Sequence, residues 1–213
     1  MRGDKLPNWL FDKLQKKQVA PEITQLETLR EGLKRNPEDH DIAKVYPQIM
    51  PLSLVCPDWP GPIERLGDLP FGVSWAVADP QNYFRYVSWE MSQFWENRGT
   101  NWKTVAMENL KELSRNYPFA GTKEGADGRP YLLSLLNRDS MGPSRLLVPG
   151  LFNELFGEDY TVAIPERTCG VVYRNGLEGE EAILANAVVD ECFRVGTEPM
   201  SNEHFNPKRF WVL

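Results

Sequence analysis

Arg145, Glu166 and Arg167 are the residues whose types could hold a small charged ligand, because a guanidinium presents a planar fork that matches a carboxylate or a phosphate. Arg145 follows the polar turn Asn137 to Met141. Glu166 and Arg167 stand in a break between two strand-like runs, at a sheet end where backbone is free to approach a ligand. The simpler reading of Glu166 and Arg167 is a solvated turn, since exposed charge in turns is ordinary. Asn109, at the edge of an apolar helical stripe, needs partners for its amide if buried. It therefore either ties down a neighbouring loop or contacts a ligand.

Other chemistries lack their parts. The chain has no GxxxxGK[ST], GxGxxG or HExxH, so phosphate cradling, dinucleotide binding and zinc peptidase chemistry are not expected. GPSRL is not a GxSxG elbow, because Pro143 and Arg145 occupy its flanks and Pro149 delays the helix after it. The two histidines, His40 and His204, lie far from any plausible nucleophile in sequence. A His204–Cys169 base and nucleophile pair is conceivable, but a cysteine in an apolar run is more often inert packing. Cys56, Cys169 and Cys192 are an odd number at wide spacings without CxxC, which suggests neither a disulfide framework nor a zinc knuckle. No cofactor and no metal are expected.

A net charge of −6 argues against binding nucleic acid by general phosphate attraction. Acidity is concentrated late: residues 158–203 hold ten Asp or Glu against Arg167, Arg174 and Arg194. That face suits a basic partner, or simply solvation. No window approaches the roughly 20 apolar residues of a membrane span, and the expected setting is the cytoplasm.

The elements that must position these groups follow from periodicity. Residues 1–36 read as amphipathic helices, one of them carrying Ile23, Leu26, Leu29 and Leu33 on its apolar face, and form a helical extension. Residues 37–70 are dense in proline and read as a packed connector that is neither long helix nor central strand. The main domain, residues 71–213, opens with the alternation Phe71, Val73, Trp75, Val77, followed by a turn and a second strand through Val87. Ser88 caps one helix and Thr100 or Asn101 the next. Nine aromatic residues between Phe71 and Trp102 could stack a base or sugar, but strand-like alternation favours a core. Gly121 to Gly128 reads as a mobile loop, and Pro130 to Leu136 as a strand. A helix is predicted from Pro149, with Leu151, Phe152, Leu155 and Phe156 on its apolar face and Gly157 as its left-handed stop. Strands follow around Tyr160–Ile164, ended by Pro165, and around Cys169–Tyr173. The next helix buries Ile183, Leu184, Ala187, Val188, Cys192 and Phe193, with Gly196 as its stop, and Phe210–Leu213 closes the chain as a strand. The expected fold is α+β, a mainly antiparallel sheet covered by helices, with the N-terminal helical extension.

Several blocks resemble the YtpQ-like family of uncharacterised bacterial proteins: YFRYVSWEMSQFW with NWKTVAMENLKEL, then PSRLLVPGLFNELFG, TVAIPERTCGVV and the EPMSNEHF tail. The resemblance covers roughly residues 71–213. It implies a cytoplasmic mixed helix-and-sheet domain and carries no established activity. In the family pattern an acidic residue tends to follow the arginine of the Pro-x-Arg turn, whereas here Thr168 does, which removes the local acid a charge pair would use.

Scarcity of catalytic groups favours a non-catalytic protein-binding or adaptor module, docking a protein through the acidic C-terminal half or the N-terminal helices. The alternative is a small enzyme or ligand sensor that holds an anionic ligand at a sheet end through Arg145 and Arg167.

Overall fold

Alternation of large apolar residues from Phe71 does produce a strand, and in the computed structural model, which describes residues 39–57, 59–78 and 84–211, that strand is the middle of a sheet. The sheet contains β1 (Val45–Pro51), β2 (Ile63–Arg65), β3 (Phe71–Ala78) and β4 (Phe84–Tyr86). All pairings are antiparallel: β1 runs along one edge of β3, while β2 and then β4 share the other. The expected hairpin after Phe71 is therefore present. The helical extension expected over residues 1–36 lies outside the described residues.

The proline-rich stretch behaves differently from a connector. It supplies β1 and β2, and β1 pairs with β3 from Val45 opposite Val77 to Pro51 opposite Phe71. Prolines Pro47 and Pro51 are tolerated because β1 is an edge strand, where a missing amide hydrogen costs no ladder bond on the outer side. The boundary drawn at residue 70 thus cuts through one sheet.

Helix α1 (Trp89–Asn97) starts where Ser88 Oγ accepts from the Met91 amide at 3.1 Å, and α2 (Trp102–Asn116) where Asn101 Oδ1 accepts from Thr104. Both caps supply a first-turn donor with its missing acceptor. Helix α2 packs on β1, burying Trp102, Ala106 and Leu110.

A second antiparallel sheet has the order β5-β6-β8-β7, from β5 (Gly121–Glu124), β6 (Pro130–Leu135), β7 (Tyr160–Glu166) and β8 (Cys169–Arg174). The segment expected to be a mobile loop begins with β5, which pairs with β6. Pro165 does not end β7. It sits in a register shift between Ala163 and Glu166, beyond which Glu166 still pairs with Cys169. Its carbonyl accepts from the Met200 amide of the C-terminal segment, which runs along the free edge of β7.

The predicted helix from Pro149 is broken up. Pro143–Leu147 forms a 3-10 turn, and only Asn153–Phe156, α3, is α-helical. Pro149 lacks the amide to join the two, and Leu155 is exposed although the periodicity placed it inside. Gly157 does stop α3 with a φ of +66°. Gly142 is required for a different reason. A β-carbon there would lie 1.6 Å from the Leu135 carbonyl oxygen. The Gly142→Ala variant is therefore expected to lose about 1–3 kcal/mol of stability in chemical denaturation, since backbone must shift. A variant as stable as the wild type would show that this turn has slack.

Helix α4 (Gly179–Val195) covers the second sheet and packs on β7 and β8. It buries Ala185, Val188, Val189 and Cys192, while Ile183, expected inside, is 63% exposed, and Ala187 is exposed as well. Gly196 follows with an ordinary negative φ of −62°, so it is not a left-handed stop. It is there because the side chain of Glu166 passes close by: a β-carbon would lie 2.6 Å from Glu166 Cγ. Of the strand expected over Phe210–Leu213, Phe210 instead ends a 3-10 turn, Pro207–Phe210, and residues 212–213 lie outside the described residues. One large core joins both sheets with α1 and α2, and a smaller one lies between α4 and the second sheet. Among the described residues no helix is long and apolar enough to cross a membrane.

Candidate functional site

The turn from β7 to β8 lies beside the turn that carries Arg145. A β-carbon on Gly142 would come within 3.2 Å of the Thr168 carbonyl oxygen. The two turns are neighbours, but their guanidinium groups are sent to different partners. The Arg145 side chain has 0% exposure. Its Nη1 and Nη2 donate to the two carboxylate oxygens of Asp139 at 3.1 and 2.6 Å, and Nε donates to the Tyr117 carbonyl at 2.8 Å. Asp139 Oδ1 also accepts from the Met141 amide at 2.9 Å. This is a two-pronged charge-assisted pair directed inward, so Arg145 locks the Asn137–Met141 turn to the end of α2 rather than facing a ligand.

Arg167 is half-buried. Nη1 donates to Glu198 Oε1 at 3.0 Å, and Nη2 donates to the Tyr86 hydroxyl. Its backbone amide donates to the Glu198 carbonyl at 3.1 Å, so residue 198 is held twice. The charge partner that Thr168 could not supply locally comes from the C-terminal segment. Burial pushes the Tyr86 phenol above its ordinary value, overcoming the lowering pull of Arg167. Glu166 is buried and turns back on its own loop, Oε2 accepting from the Thr168 amide at 2.8 Å and from the Thr168 hydroxyl at 2.6 Å. Asn109 makes the structural choice of its two: Nδ2 donates to the carbonyls of Ile42 and Val45 at 3.2 and 3.0 Å, tying the 3-10 segment before β1 to α2.

A shallow cleft of about 170 Å³ lies elsewhere, where β8 turns into α4, lined by Tyr173, Arg174, Asn175 and Asn186 among others. Neither Arg145 nor Arg167 reaches it. Arg174 is engaged there by Asp127 at 3.3 Å and Glu181 at 3.7 Å, and Tyr173 shares a 2.6 Å hydrogen bond with His204 Nδ1. His204 is not paired with Cys169, which is fully buried. Among the described residues no group of three or more His, Cys, Asp or Glu side chains is placed to hold a metal ion.

Past Arg167 the sheet end continues as an aromatic surface that no spacing announced. The Tyr86 ring packs edge-on against Trp59 with centroids 4.9 Å apart. The Pro60 carbonyl accepts from the Trp89 amide at 3.0 Å, which joins the start of α1 to the segment that carries Trp59. Trp89 leaves 53% of its surface in solvent. Exposed Leu54 and Val55 precede Trp59 in the chain, and Glu90 and Glu198 are exposed acids beside the aromatics. The available signal was the aromatic count between Phe71 and Trp102. A count could not separate Trp75, Trp95 and Trp102, which are core, from Trp89, the exposed first residue of α1. Comparison of the chain with known protein families, with curated proteins and with solved structures finds no match.

Proposed function

We propose that the protein is a non-catalytic protein-binding module that docks a basic, apolar-anchored segment of a partner on the surface formed by Trp59, Tyr86 and Trp89. The observation that carries this reading is Trp89, a large apolar side chain held half in water on a rigid helix start, whose amide is bonded to the segment carrying the Trp59–Tyr86 ring pair. Tryptophan, tyrosine and arginine are the residue types that concentrate binding energy at interfaces, and a rigid backing lowers the entropy cost of docking. Glu90, with the net charge of −6, favours a basic segment by attraction at the rim. The anionic-ligand alternative has less support, because both arginines it relies on are already paired. A cytoplasmic setting belongs to the same reading and is supported by Cys56, Cys169 and Cys192, none of which is in a disulfide. So does the likeness to the YtpQ-like family.

The test uses the full chain and two labelled peptides of equal length, one leucine-rich with lysine and arginine, the other with glutamate in place of each basic residue. Anisotropy is expected to show preference for the basic peptide, and the Trp89→Ala variant is expected to weaken that binding roughly tenfold or more. Its stability should fall by only about 1–2 kcal/mol, because half of Trp89 is already in water. Equal affinity for both peptides, or no effect of Trp89→Ala, would sink the proposal.

A further inference from the structure

Cys169 opens β8 and Cys192 lies in the last turn of α4, so 23 positions separate them in the chain, yet packing of α4 on the second sheet brings their sulfur atoms to 3.8 Å. Both side chains are fully buried, and neither cysteine is in a disulfide. A disulfide needs sulfurs about 2.05 Å apart, a closure on the order of 1.8 Å, within reach of side-chain rotation and a small helix shift. The surroundings restrict any larger movement. Gly196, one residue past α4, sits so close to Glu166 that a β-carbon would meet its side chain, and Arg167 is only two residues from Cys169. The end of the helix and the β7–β8 turn are thus held in register around the sulfur pair.

We propose that Cys169 and Cys192 form a redox-sensitive clasp, which a peroxide closes into a disulfide that ties α4 to β8. One thiol sulfur attacks a peroxide oxygen, the O–O bond breaks, and the thiol proton leaves with the departing hydroxide as water, giving a sulfenic acid. The second sulfur then attacks the sulfenic sulfur. The S–S bond forms as the S–O bond breaks, and the second thiol proton leaves with that hydroxide as another water. Two thiols are oxidised and one peroxide is reduced to two waters, with no other reactant. Burial makes both thiols slow to react, so Cys56, which is exposed, reacts first and has to be removed from the experiment.

The full chain carrying Cys56→Ser is treated with hydrogen peroxide, unfolded, alkylated and digested with trypsin. Cleavage after Arg167, Arg174 and Arg194 places the two cysteines on separate peptides, residues 168–174 and 175–194. The expected result is a linked pair of these peptides that dithiothreitol separates, together with a melting temperature raised by roughly 5–10 °C before reduction. A parallel sample of Cys56→Ser with Cys192→Ala should give neither the linked pair nor the rise. Recovery of both peptides separately alkylated would overturn the proposal. So would a linked pair without a rise in melting temperature, or a rise that persists without Cys192.

Discussion

Replacing Trp102 by alanine is expected to remove about 3–5 kcal/mol of unfolding free energy, the range for deleting a large aromatic side chain from a packed core. Trp102 is the first residue of α2 and only 1% exposed. Its ring meets Trp75 of β3 edge-on at 5.3 Å and Trp95 of α1 at 5.8 Å, so one side chain joins the first sheet to both helices. Its indole nitrogen donates to Glu96 Oε1 at 3.2 Å, which satisfies the polar end that burial would otherwise penalise. Neighbours from three elements cannot all collapse into the space left, so a cavity term adds to the lost burial. Urea unfolding followed by far-ultraviolet circular dichroism measures the effect without relying on tryptophan fluorescence. The exposed Trp89→Ala serves as the comparison. A loss under about 1 kcal/mol for Trp102→Ala would mean that the three indoles do not form the joint of this core.

Replacing Arg145 by methionine is expected to destabilise the protein by about 3–4 kcal/mol. Truncating one member of a buried pair typically costs 3–5 kcal/mol, because the other charge is left unsatisfied. Asp139 is still 28% exposed, so water recovers part of that loss and the lower end applies. The Tyr117 carbonyl loses its 2.8 Å donor as well. Arg145→Lys separates charge from geometry. An ammonium keeps the charge but cannot supply three directed bonds to Asp139 and Tyr117, so it should restore less than half of the loss. Full stability in Arg145→Lys would show that the charge alone suffices, and a near-neutral Arg145→Met would show that the pair contributes little. Either result, read by chemical denaturation, would reopen the question of whether this arginine is kept for a ligand.

How legible the site was depends on how far each partner lies along the chain. The Ser88 and Asn101 caps, the hairpin from Phe71 and the left-handed Gly157 were readable, because each signal and its consequence fall within a few residues. Arg145 and Arg167 were singled out as candidate holders of an anionic ligand, and their intramolecular partners were hidden. Asp139 is six residues from Arg145 across an irregular turn, Tyr117 is 28 away, and Tyr86 is 81 residues from Arg167. Nothing local indicates such pairings, and a solvated turn and a buried fork have the same composition. Ile183 shows the same difficulty: a periodic stripe gives a helix its apolar side, but the partner surface decides how far round the helix that side is covered.

From its residues alone this chain was committed to short strands, capped helices and an α+β arrangement without a recognised catalytic motif, because alternation, capping groups and glycine stops act over one or two turns. Tertiary structure alone decided that a proline-rich stretch would become an edge strand, that one arginine would be consumed inside, and that Trp59 would pack on Tyr86. It also set two distant cysteines sulfur to sulfur. The reason is physical: such contacts depend on sheet order and register, which arise from packing both sheets on a shared core and are not encoded at any single spacing.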